Sequence, residues 1–221
     1  MTAALIGSTG FIGEYLLALL LKDNYFDTVR ILVRRPVEQK EPGLEIKLVD
    51  FNDAESFKLA LEEVDTIFCC VGTTNKKVNG DKDMYRKVDY DIPIKAAKFG
   101  KDAGCEKFIL VSSVGANSKS NNFYLKLKGE VEESMQTTGI HSIHILQPSI
   151  LLGDRHEKRP GEMIGKITMK TFSFILVGNL RKYRPVHGLT VAKAMLNAAK
   201  SGSPGLHKYE YDGIKKLAGS D

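Results

Sequence analysis

Ala3-Ala4-Leu5-Ile6-Gly7-Ser8-Thr9-Gly10-Phe11-Ile12-Gly13 is the stretch around which the chain is organised. Four apolar residues suit a buried parallel strand, and the apolar run over 15–21 suits a helix packed on a sheet. Between them the glycines fall at the first, fourth and seventh places of GxxGxxG. Gly7 lets the chain leave the strand in a tight turn, and Gly10 removes a side chain where a pyrophosphate must approach. Gly13 lets the helix lie close on the strand. Ser8, Thr9, Phe11 and Ile12 complete the turn. The helix start then presents N–H groups and a positive dipole end to phosphates. The stretch reads as a dinucleotide site.

Outward from there, strands and helices alternate. Strands are expected at 29–33, 45–49, 64–71, 107–113 and 140–146. Helices are expected at 53–62, capped by Asp53, at 83–103, interrupted by Pro93, and at 123–135, with Gly129 tolerated inside. Beyond Pro148 the pattern predicts helices at 162–174 and 190–200 and a short strand at 206–209. Such alternation predicts an α/β fold, a doubly wound parallel sheet with helices on both faces. Ligand sites in such sheets lie at the C-terminal ends of strands. Gly72, and the serines Ser112 and Ser113, stand at two such ends.

Arg34 follows the second strand, 21 residues after Gly13. NAD-preferring folds commonly carry an acidic residue near this point, whereas a guanidinium matches the oxygens of a 2′-phosphate. The reading is NADP(H) in preference to NAD(H).

With 221 residues, 43% of them hydrophobic, one domain with a large core is expected over 1–221, with 148–221 supplying a small substrate-side region. No stretch approaches the roughly 18 apolar residues of a transmembrane helix, and the N-terminus lacks the basic region of a signal peptide. No membrane partner is therefore expected. The net charge is +5, but Lys and Arg alternate with Asp and Glu, which argues against a nucleic-acid partner. Cys69, Cys70 and Cys105 show no metal spacing, and their odd number points to a reducing cytoplasmic compartment.

Tyr124 and Lys128 lie four apart on an expected helix and share a face, eleven residues after Ser113. A phenol ionises near pH 10, too high for ready proton exchange at neutrality, and a neighbouring ammonium favours the phenolate. Such a pair beside a serine hydroxyl can pass a proton to or from a carbonyl or alcohol oxygen. A nicotinamide cofactor would move the hydride.

The pattern resembles the short-chain dehydrogenase/reductase superfamily in its atypical branch. More closely it resembles the HIV Tat-interacting-protein family of small NADPH-binding oxidoreductases. The matching stretches are GSTGFIG, LVRRP, VDF, FCCVGTT, YRKVDYD, GCEKFILVSSVGANSKSNNFYLKLKGEVE and PSILLGDRHEKRPGE, spread over 7–162. The resemblance implies a Rossmann-type domain with pyrophosphate at Gly7, Gly10 and Gly13 and the 2′-phosphate at Arg34 and Arg35. It implies adenine at Asp50 and Phe51 and the nicotinamide-side ribose at Cys70, Val71 and Gly72. Ser113, Tyr124 and Lys128 take the catalytic places, with Ser112 the alternative serine, and Pro148 and Ser149 meet the nicotinamide.

Two departures matter. Asp89 stands where many relatives have Asn, which removes an amide from any proton relay there. The RxxNxxGP of sugar-nucleotide epimerases is met by Gln147, Ile150, Gly153 and Asp154, so its Arg and Asn are missing. Expected, then, is an NADP(H)-dependent reductase of a small-molecule carbonyl substrate. The alternative is an NADPH-binding sensor acting through protein partners. Residues 155–160 read either as the rim of a substrate mouth or as a solvated loop, and the oligomeric state stays open.

Overall fold

The computed structural model describes residues 1–153 and 176–219. The helix expected over 162–174 and the charged stretch 155–160 lie outside them. Seven parallel strands form the central sheet, in the order β3-β2-β1-β4-β5-β6-β9. These are β1 (Thr2–Ile6), β2 (Thr28–Val33), β3 (Leu44–Leu48), β4 (Thr66–Cys69), β5 (Lys107–Val111), β6 (Ser142–Leu146) and β9 (Gly205–Tyr209). β7 (Leu151–Leu152) and β8 (Val186–His187) pair as a separate parallel ribbon. The doubly wound parallel sheet read from the alternation is the one observed.

Successive residues of β1 feed opposite faces. Ala4 and Ile6 enter one core with Phe57, Phe108 and Val131. Ala3 and Leu5 enter the other with Leu16, Phe68 and Met195. The first face is covered by α2 (Ala54–Leu59), α4 (Ile92–Asp102) and α5 (Phe123–Met135), the second by α1 (Phe11–Leu20), α6 (Gly188–Lys200) and α7 (Tyr211–Leu217). α1 packs along α6, and α6 along α7. Fully buried side chains on both faces are what an all-parallel sheet requires.

The edge strands differ from the centre. β3 is half-exposed to exposed throughout, with Ile46 and Leu48 facing solvent on either side of Lys47. β4 is shorter than its apolar run suggested. α2 is capped where expected, the Asp53 carboxylate accepting the Glu55 N–H.

The interruption at Pro93 resolves as three consecutive helical pieces. α3 (Lys82–Arg86) runs into a π-helical turn (Lys87–Asp91), and α4 begins next to Pro93, where a missing N–H costs nothing. Within the tail, Pro148 and Ser149 face a cavity at the carboxyl edge, whereas α6 and β9 complete the main layers.

Gly129 needs correcting. It is not a tolerated passenger: a Cβ there would lie 2.1 Å from the Ser118 nitrogen and 2.3 Å from the Asn117 carbonyl carbon. The loop after β5 crosses α5 at backbone contact, and only glycine leaves room.

Candidate functional site

β1 lies between β2 and β4, so the connections leaving β1 and β4 run to opposite faces of the sheet. They open a crevice at its carboxyl edge. A cavity of about 780 Å³ occupies that crevice. Thr9, Gly10, Phe11 and Ile12 line it from the glycine turn, Cys70, Val71 and Gly72 from the end of β4, and Ser112 and Ser113 from the end of β5. Tyr124 and Lys128 reach it from α5, and Pro148 and Ser149 follow β6. Residues scattered over 140 positions of sequence thus meet because four strand ends do, with α5 beside them.

The turn is built by close approach. Gly7 has φ +88°, and a Cβ on it would lie 2.9 Å from the Cys70 carbonyl carbon. At Gly13 a Cβ would come within 2.0 Å of the Gly7 carbonyl oxygen. Gly7 and Gly13 therefore shape the loop from outside the cavity. No side chain caps the N-terminus of α1, which starts from Gly10. Ser8 is 3% exposed, and its hydroxyl has no hydrogen-bond partner. It lines a second hollow of about 250 Å³ with Thr9, Glu14, Ile31, Val37 and Gln39.

Arg34 and Arg35 are exposed just beyond the end of β2, in the segment between Ile31 and Val37 of that hollow. Asp50 is exposed, and its carboxylate accepts both the Asn52 N–H and the Asn52 side-chain amide. Phe51 is 9% exposed, and its ring packs edge-on to Phe57 at 4.8 Å. Any adenine contact there falls to the ring's edge and the backbone. These four residues stand outside the main cavity.

The catalytic candidates share one wall. Asn122 caps α5 by accepting the Leu125 N–H, which fixes Tyr124 in the first turn. Tyr124 is 36% exposed, and the Lys128 ammonium lies 5.9 Å from its ring centroid. Lys128 is buried and ion-paired with Asp89 at 2.9 Å. Burial pulls the Lys128 ammonium down, but the Asp89 carboxylate, Tyr124 and Cys69 outweigh it, and the balance is upward. The other Asp89 oxygen accepts the Thr73 N–H at 2.8 Å.

The two serines part company. The Ser112 hydroxyl donates to the buried Glu132, whose carboxylate also accepts from Gln147 and pairs with Lys208 at 2.7 Å. The Ser113 hydroxyl makes only a 3.4 Å contact with the Val114 carbonyl. Ser113 is thus the serine with capacity to spare, and Ser149 donates to the Tyr183 carbonyl. Cys70 lines the cavity, but burial pushes its thiol well above the ordinary range.

The sequence did not point to Tyr85, whose hydroxyl donates to the Thr73 carbonyl, or to Val114, Ile150 and Leu151 on the cavity wall. For Val114, Ile150 and Leu151 the one signal was position shortly after a strand end. The Glu132 network left none, because a carboxylate on an amphipathic helix reads as solvent-facing. Among the described residues no cluster fit for a metal ion occurs.

A glycine turn, an uncapped helix start and a Tyr-Lys pair on one crevice define a Rossmann nucleotide-binding domain of the short-chain-dehydrogenase type. The chain belongs to the NAD(P)H-binding family, which it matches over residues 7–167. Protein HTATIP2 of Rattus norvegicus is 33% identical over 204 residues, covering 91% of this chain and 82% of that protein. Protein FMP52, mitochondrial, of Debaryomyces hansenii is 35% identical over 205 residues, covering 90% and 88%. Among solved structures, MoeE5 in complex with UDP-glucuronic acid and NAD superposes with a TM-score of 0.72 at 16% identity, over 94% of this chain and 75% of that one. At that identity the likeness is one of fold.

Proposed function

We propose that the protein is an NADP(H)-dependent oxidoreductase that reduces the carbonyl of a small or moderately apolar substrate. The observation that carries this reading is the placement of Ser113, Tyr124 and Lys128 on the wall of the same cavity as the glycine turn. The residues present fit the cofactor. The turn leaves no room for side chains, the start of α1 is uncapped, and the buried Ser8 hydroxyl lacks a partner. Arg34 supports the phosphorylated cofactor over NAD(H).

NADPH, when bound, supplies the hydride to the carbonyl carbon. Reduction also needs a proton on the oxygen, and in this reading the Tyr124 hydroxyl donates it. Ser113 offers its hydroxyl to orient the carbonyl, and Lys128 holds a fixed positive charge beside the phenol. Val114, Ile150 and Leu151 give the wall an apolar stretch suited to the rest of the substrate.

Sugar-nucleotide chemistry is disfavoured. Gln147 spends its amide on Glu132, and Ile150 presents no polar group where an epimerase places its asparagine. Cytoplasmic residence belongs to the same proposal and rests on three unpaired cysteines, although the Debaryomyces relative carries a mitochondrial name of its own.

The test is single-turnover NADPH consumption over a panel of aldehydes, ketones and quinones. Tyr124→Phe should lose roughly a hundredfold or more in rate with little change in NADPH affinity. Lys128→Met should damage both. A wild type that binds NADPH yet outpaces Tyr124→Phe on no member of the panel would leave a cofactor sensor as the better reading.

A further inference from the structure

Lys128 and Asp89 form the ion pair among the described residues in which both side chains are buried, at 6% and 1% exposure. Asp89 projects from the π-helical turn, a distortion frequent at functional sites. Its carboxylate joins two further elements: α5 through Lys128, and the segment after β4 through the Thr73 N–H. Tyr85 secures the same segment from α3 by donating to the Thr73 carbonyl at 3.1 Å. The aspartate is therefore held in place, and it lines the cavity beside Tyr124.

The charge balance of this wall is simple. One buried ammonium faces two groups that could be its anion, the Asp89 carboxylate and a Tyr124 phenolate. A buried carboxylate is tolerated only when paired and hydrogen-bonded, and Asp89 is both. A second anion at the same cation would go unbalanced, so the wall is neutral when Tyr124 keeps its proton. The other groups facing the pair do not upset this. Cys69 on β4 is pushed up to about 12 by burial and stays a thiol. Ser112 and Ser113 on β5 carry no charge, and the exposed Glu14 and Lys77 oppose one another in sign on the cavity wall.

We propose that Asp89 is a positioning residue: as the counter-ion of Lys128 it keeps Tyr124 in its protonated, donating form and biases the site towards carbonyl reduction over alcohol oxidation. The inference rests on the reading of Tyr124 as the acid. Reduction consumes the phenolic proton, whereas oxidation begins by removing one from the alcohol and needs the phenolate. Asp89 opposes only the second.

The decisive measurement needs neither cofactor nor substrate. Protein labelled with 13C at tyrosine Cζ is titrated by NMR, the Tyr124 signal being the one absent from Tyr124→Phe. In Asp89→Asn, which keeps an acceptor for Thr73 and drops the charge, the Tyr124 midpoint should fall by about one pH unit. In Asp89→Glu, which keeps the charge, it should stay near wild type. An unchanged midpoint in Asp89→Asn, or an equal fall in Asp89→Glu, overturns the proposal. Should Asp89→Asn fail to fold, the wild type alone decides through its pH profiles. Reduction should be near full rate at pH 7, and oxidation of the product alcohol should rise at least tenfold towards pH 9. Equal oxidation at the two values overturns it. If no substrate outpaces Tyr124→Phe, the enzyme reading fails, and the titration still reports whether Asp89 holds the proton in place.

Discussion

Arg34 is exposed past the end of β2, beside a hollow lined by Ser8 and Gln39. Its guanidinium offers paired donors to a 2′-phosphate, and NADH presents only a hydroxyl in that place. Arg34→Ala should weaken NADPH by roughly tenfold to a hundredfold while leaving NADH nearly unchanged. Titration of both cofactors against both proteins measures it. Equal losses, or a wild type that prefers NADH, would refute the assignment. A local signature marked the glycine turn and the i, i+4 pair of Tyr124 and Lys128, whereas Cys70–Gly72, Ser113, Pro148 and Ser149 were marked by position after strand ends and by family resemblance. The Lys128–Asp89 contact spans 39 positions, so no spacing rule could announce it. The packing of Phe51 was hidden for a related reason. Its place after a strand fits a ligand contact, but Phe57, one turn into α2, claims the ring.

At the scale of elements, β9 is joined to β6 by more than its backbone ladder. His144, fully buried on β6, shares hydrogen bonds with Ser142 and Tyr209 and stacks on His207 at 5.1 Å. Burial, helped by His207 and Lys107, pushes its imidazole down to about 4. Its ordinary value is near 6.5, so the unfolded chain takes up the proton first as pH falls. The stability it contributes is present above about pH 6.5, is lost as pH falls towards 4, and changes no further below. The loss is on the order of 3 kcal/mol. Urea unfolding at pH 7.5, 6, 5 and 4 should show it, and His144→Gln should flatten the slope between 6.5 and 4. A mutant with an unchanged slope would assign the loss to other groups. The alternation of strands and helices was legible because buried strands and amphipathic helices have different periods. The crossing at Gly129 was not, because what makes it necessary is the loop at Asn117 and Ser118 arriving from outside the helix.

For the molecule as a whole, the crevice exists only when β1, β4, β5 and α5 are in place together, so a ligand there binds the folded state alone. NADPH at a hundredfold excess over its Kd should add about 2.7 kcal/mol. For a chain of this size that raises Tm by roughly 5–10 °C. NADH at the same concentration should raise it less. Thermal melts with each cofactor measure both shifts, and equal shifts would count against the preference for NADPH.

The packing of α1 along α6 bears on how the protein is made. Along the chain α1 precedes both strand partners of β1, which are complete by residue 69. The helix that covers its flank, Gly188–Lys200, is synthesised only after β5 and β6. Between the synthesis of α5 and that of α6 the nascent sheet has the helices of one face, while the other face still waits for its own. Leu16, Leu17 and Leu20 border that second face. A nascent chain in this state shows apolar surface of the kind that chaperones shield.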